Sequence, residues 1–225
     1  MNISPTSATW VKPQPNVQTS AQRNQSIPSP ETQLISGKKE AFAKAFYTQQ
    51  EAPWLEPHTF IYNEVTEIRP RTKQEYIEST YGWSLIMSRV QSSHFNEFRN
   101  ELMDLRPDLR SSNFSYTLGD DAELKIIDLD KKLGNDELKY LTDAINQKND
   151  FKESARTHAK IIMALVDHDS DTFKGQYKLD LTNFQDVIDL GMISASKKND
   201  PREIWINQIK QNAERKEPSC VDIRV

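Results

Sequence analysis

Beyond residue 37 the apolar residues of this chain recur at helical spacing, and they alternate with period two in one convincing place only. That contrast confines the fold to helices packed around a single small β-hairpin. Phe42, Ala45 and Phe46 share one face of a helix expected near 38–50. Pro53, Pro57 and Pro70 punctuate the next stretch, in which Phe60, Tyr62 and Val65 suit a short strand. Thr72 and Glu75 form a capping box that opens a further helix. It carries Tyr76, Ile77 and Tyr81, then Trp83, Ile86, Met87 and Val90 beyond Gly82. A separate helix is expected near 94–105, burying Phe95, Phe98, Leu102 and Leu105 before Pro107. Phe114, Tyr116 and Leu118 alternate with Ser115 and Thr117; a turn at Gly119-Asp120 then leads to Leu124, Ile126 and Ile127, a hairpin over about 114–128. Helices are expected at 135–146, at 150–166 and, ending on Gly191, at 181–190. The last begins with Asp200 as cap, Pro201 at its first position and Glu203 completing the cap, and it buries Trp205, Ile206 and Ile209.

Residues 1–36 have a different character. Ser, Thr, Pro, Gln and Asn fill 23 of these positions, and only Lys12, Arg23 and Glu31 are charged. So little apolar surface does not offset the entropy of ordering the chain, and the segment is expected to be a disordered arm. The domain map is therefore an arm over 1–36, one compact, mostly α domain over 37–214, and a polar tail over 215–225. A chain of 225 residues accommodates one such domain rather than two.

Several classes of chemistry find no support. The six glycines lie at least fifteen residues apart, which excludes a phosphate-cradling glycine-rich loop. A net charge of −4 supplies no basic face of the kind a nucleic-acid duplex requires, and no nucleic-acid partner is expected. No stretch approaches the ~20 apolar residues that span a bilayer, and the first residues lack a basic and then apolar signal peptide. The expected location is the cytoplasm, or outside the cell by a route that needs no hydrophobic signal. Cys220 stands alone in the polar tail, so no disulfide closes within the chain. Of the histidines His58, His94, His158 and His168, His158 is expected half-buried and hydrogen-bonded on a helix. Trp83 with Arg89, and Phe95 and Phe98 with Arg99, read as core residues beside solvated cations.

One loop carries cation chemistry. Asp167, Asp169 and Asp171 alternate between two helices, as calcium's preference for several hard oxygen ligands demands. The loop resembles the opening of an EF-hand, with Thr172 where that family has Gly and Lys178 where it has the closing Glu. Asn183 matches the closing position only through a longer loop, and Asp180 is the carboxylate that would replace the missing Glu. Asp128 and Asp130 resemble the later part of a second hand. The resemblance implies a calcium site at Asp167, Asp169, Asp171 and Asp180; the absent Glu implies weak binding, and no other cofactor is expected. The arm is similar to the N-termini of bacterial type III secretion effectors, which implies a secretion leader. The helical part resembles proteobacterial proteins to which no activity attaches. The function expected is a non-enzymatic protein-interaction module, secreted or accessory to secretion. An enzyme with a dispersed active site and a calcium-responsive module are the alternatives.

Overall fold

The computed structural model describes residues 30–62, 65–196 and 200–216. In chain order the elements are α1 (Pro30–Phe46), β1 (Pro57–Tyr62), β2 (Val65–Pro70), α2 (Lys73–Leu105), β3 (Phe114–Leu118), β4 (Leu124–Asp128), α3 (Asn135–Asn146), α4 (Asn149–His168), α5 (Ser170–Phe173), α6 (Phe184–Val187), α7 (Leu190–Ser194) and α8 (Arg202–Asn212). The mostly α domain with a hairpin at 114–128 is present. α1 begins earlier than expected, at Pro30, whose fixed φ suits a first helical turn. Backbone 30–36 therefore belongs to a helix rather than to the arm, and the rest of the expected arm lies outside the described residues.

α2 is one helix of 33 residues rather than two. Thr72 caps it as expected, its hydroxyl accepting the Glu75 N–H while the Glu75 carboxylate accepts from Thr72 N. Its inward face runs Tyr81, Ser84, Ser88, Gln91, Phe95, Phe98 and Leu102 in steps of three and four, unbroken across the expected gap. Gly82 faces outward with nothing near it and does not interrupt the helix. α2 packs most extensively on α4, and the two run antiparallel: Ser84 and Gln91 both bond His158, and Glu101 pairs with Lys148.

β3 and β4 pair antiparallel from Phe114↔Asp128 to Leu118↔Leu124, with all five residues of β3 buried. Arg156 of α4 clamps the turn by donating to Ala122 O at 2.8 Å and pairing with Glu123 at 2.7 Å. The short strand expected near 60–65 is half of a second antiparallel hairpin, β1–β2, which adds to the one expected. Gly191 does not end a helix. It lies inside α7, where a Cβ would sit 3.0 Å from Tyr116 N and collide with the Ser115 hydroxyl, so hydrogen is the only side chain that fits. α8 starts one residue later than expected: Pro201 is its N-cap, and Asp200 accepts from Arg202 N at 2.9 Å. Trp205 is buried between Tyr81 and Phe173, with ring centroids 5.7 and 6.0 Å away. The chain after α8 is tied back by Lys178 N to Glu214 O (3.1 Å) and Lys216 N to Gln176 O (2.7 Å), so residues 215 and 216 belong to the domain. Cys220 lies outside the described residues.

Candidate functional site

The four loop carboxylates do not converge. Asp167 accepts the Tyr47 hydroxyl at 2.9 Å, and burial raises its carboxyl above the ordinary range despite that bond and the positive charge of Lys216. Asp169 points elsewhere: one oxygen accepts from the Tyr81 hydroxyl at 2.7 Å and the other from Thr172 N at 3.1 Å. Burial works to raise this carboxyl too, but those hydrogen bonds outweigh it and hold it below the usual value. Asp171 is exposed, and Asp180 accepts the Thr182 N–H at 2.8 Å in a turn of its own. Among the described residues no three His, Cys, Asp or Glu side chains gather as a metal site.

His158 is wholly buried rather than half-buried. Gln91 fixes its tautomer. The Gln91 Nε2 faces Ser154 O at 3.2 Å, a pure acceptor, so this atom is the amide nitrogen and it also donates to His158 Nδ1 at 3.1 Å. The imidazole proton is then on Nε2, donated to the Ser84 hydroxyl at 2.9 Å. The Gln91 oxygen accepts from the Tyr116 hydroxyl at 3.1 Å, which contacts Ser194 at 2.9 Å. Burial pushes His158 down to about 3, so it is neutral at physiological pH. The chain of bonds from α2 through α4 to β3 and α7 satisfies buried polar groups and offers no substrate a way in. His58 lies on the exposed β1, His94 leans on Phe151 at 5.8 Å, and His168 is wedged edge-on against Trp54 (5.5 Å) and Tyr76 (5.9 Å).

A cleft of about 440 Å³ opens where the end of α1 meets α2 and α4. Its walls include Tyr47, Arg71, Tyr76, Trp83, Lys160 and His168, and no Asp or Glu lines it. Each element contributes for a local reason. α1 ends at Phe46, and Tyr47 follows it down toward Asp167. Arg71 lies between Pro70 and the α2 cap, its N–H donating to Trp54 O at 2.9 Å and its guanidinium stacking over Tyr76 at 4.9 Å. One guanidinium nitrogen donates to Ser79 at 3.3 Å, while Nε is buried with no acceptor. A buried donor without a partner costs about 1–3 kcal/mol, so this atom is under-satisfied where it stands. Lys160 Nζ lies 4.7 Å over the Phe46 ring. Trp83, expected in the core, stands at the mouth with 56% of its surface exposed. Phe42 and Ile86 are likewise outside the core they were expected to join.

Sequence reasoning missed Arg71 and Lys160, because lone cations outside a motif carry no pattern. In comparisons with protein-family models, curated proteins and solved structures, nothing matches this chain. No helix among the described residues is long and apolar enough to cross a membrane.

Proposed function

We propose that this protein is a non-enzymatic interaction module whose α1–α2–α4 cleft receives an extended segment of a protein partner. The observation that carries this reading is Trp83, a large aromatic side chain left more than half exposed at the mouth of an aromatic-walled cleft. Burying such a ring on contact is a principal source of binding energy at protein interfaces. Other exposed apolar side chains, Ile86 and Phe42, stand on α2 and α1, the helices that wall the cleft, so the apolar surface available to a partner extends beyond its lining. A calcium-responsive reading draws less support, because the bonded carboxylates serve different partners: Asp167 the Tyr47 hydroxyl, Asp169 the Tyr81 hydroxyl and Asp180 the Thr182 N–H.

The test is a titration of the isotopically labelled full chain with the neutral peptide acetyl-Gln-Phe-Gln-amide. Amide shifts are expected to cluster at Tyr47, Trp83 and Ile161 and to vanish in Trp83→Ser. Trp83 is exposed, so that variant keeps the wild-type thermal midpoint. Shifts scattered over the surface, or unaltered in Trp83→Ser, would sink the reading.

A further inference from the structure

Resting on that reading of the cleft, we infer that the partner segment it receives is acidic, with a side-chain carboxylate seated on Arg71 and Lys160 beside an apolar residue on Trp83. The chain as a whole is negative, with 33 acidic against 29 basic residues, yet the lining of this cleft holds two cations and no carboxylate. Elsewhere many cations find an acid nearby: Arg69 pairs with Glu75, Arg106 with Asp108, and Lys152 and Arg156 with Glu123. Arg71 and Lys160 instead rest on the Tyr76 and Phe46 rings, and among the described residues neither ion-pairs with a carboxylate. Two acids act on the Tyr76 hydroxyl from beside the cleft, Glu56 and Asp167, and Asp167 already accepts the Tyr47 hydroxyl.

The geometry of Arg71 is the strongest support. The backbone bond to Trp54 places the residue, and stacking on Tyr76 with the bond to Ser79 orients its guanidinium along the cleft wall. Its buried Nε keeps a donor with no acceptor. Nε is covered as well as unpaired, so a small outward shift of the guanidinium lets an anion in the cleft supply the acceptor that the free protein lacks. A carboxylate accepts from such a fork through two oxygens, which a neutral amide does not reproduce. Lys160 adds a second charge, and the hydroxyls of Tyr47, Thr48 and Thr80, whose protons go to Asp167, Lys44 O and Tyr76 O, keep lone pairs that accept peptide N–H groups.

The experiment compares acetyl-Glu-Phe-Glu-amide with acetyl-Gln-Phe-Gln-amide on the full chain, reading backbone amides and the Arg71 Nε–H resonance. The acidic peptide is expected to bind about tenfold more tightly at low salt, a difference of about 1.4 kcal/mol. It should shift the Arg71 Nε–H and lose its advantage in Arg71→Gln, in Lys160→Gln and at high salt. Arg71→Lys, which keeps the charge but not the fork, should recover only part of the advantage. Should Arg71→Gln fail to fold, Lys160→Gln and the paired peptides decide the matter alone. Equal binding of the two peptides in the cleft overturns the acidic partner and leaves docking intact. Absence of cleft shifts with both overturns the docking reading as well. A third arm uses inorganic phosphate: if it moves the Arg71 Nε–H while the acidic peptide does not, the site serves a free anion and the inference fails.

Discussion

His158 and Asp169 are both buried and ionisable, and they respond to pH in ways set by their neighbours. The folded His158 titrates near 3 against an ordinary 6.5, because its ring is sealed from water. Between those values the unfolded chain binds the proton that the folded one refuses. Its contribution is therefore intact above pH 6.5 and lost as pH falls, at up to about 1.4 kcal/mol per unit. His168 acts in the same direction, its pKa lowered first by burial. Urea midpoints measured from pH 7 down to about 5, before most carboxylates titrate, should fall for the wild type and fall less steeply for His158→Gln. Parallel slopes would place His158 in water. For Asp169 both carboxylate oxygens are already engaged, by Tyr81 and Thr172. Calcium must displace those bonds and then find Asp167 and Asp180 turned to other partners. Calorimetric titration should therefore give a dissociation constant of about 10⁻⁴–10⁻³ M or weaker. Micromolar affinity abolished by Asp169→Ala would show that the loop rearranges around the ion.

Elements were legible where their apolar pattern was pure and obscure where the buried face was polar. α3 and β3–β4 follow strong periodicity and lie where the sequence placed them. α2 was divided because the middle of its inward face is Ser84, Ser88 and Gln91, which hydropathy reads as solvent-facing. Ser84 and Gln91 are buried because His158 and the Ser154 carbonyl bond them there, while Ser88 donates to Leu85 O within its own helix; partners from another element leave no trace in a local pattern. Two glycines, Gly82 inside α2 and Gly191, which was expected to end a helix, make opposite predictions. Gly82 lies mid-helix, and a Cβ placed there would meet nothing within 4 Å, so Gly82→Ala should raise stability by about 0.5–1 kcal/mol. Gly191→Ala drives a methyl to within 3.0 Å of the Tyr116 backbone nitrogen and should cost about 1–3 kcal/mol. Denaturant midpoints of both variants measure the two signs directly. The cleft was illegible for a related reason: Tyr47, Arg71, Trp83 and Lys160 come from four separate stretches that only the fold assembles.

At the scale of the molecule, the domain depends on α1 from Ala43 onward, since Ala43 is buried and Phe46 packs on the core. A chain starting at residue 30 should melt within about two degrees of the full length, because residues 1–29 bring little periodic apolar surface. A chain starting at residue 49 loses Ala43, Phe46 and Tyr47, and should melt at least five degrees lower, as about 1 kcal/mol moves a domain of this size by some 2–4 °C. Equal midpoints for the two truncations would make α1 an appendage. The unbroken α2 has one more consequence, for how this sequence can diverge. Trp83 and Ser84 are neighbours in the chain, yet one meets solvent and the other bonds His158 in the interior. Inserting a single residue after Tyr76 turns the rest of the helix by about 100°. Ser84, Gln91, Phe95 and Phe98 would then leave their partners together. Four inserted residues nearly restore the angle but slide each contact along the axis by about 6 Å. Descendants of this sequence can therefore exchange side chains along α2, whereas insertions and deletions are confined to the loops beyond its two ends.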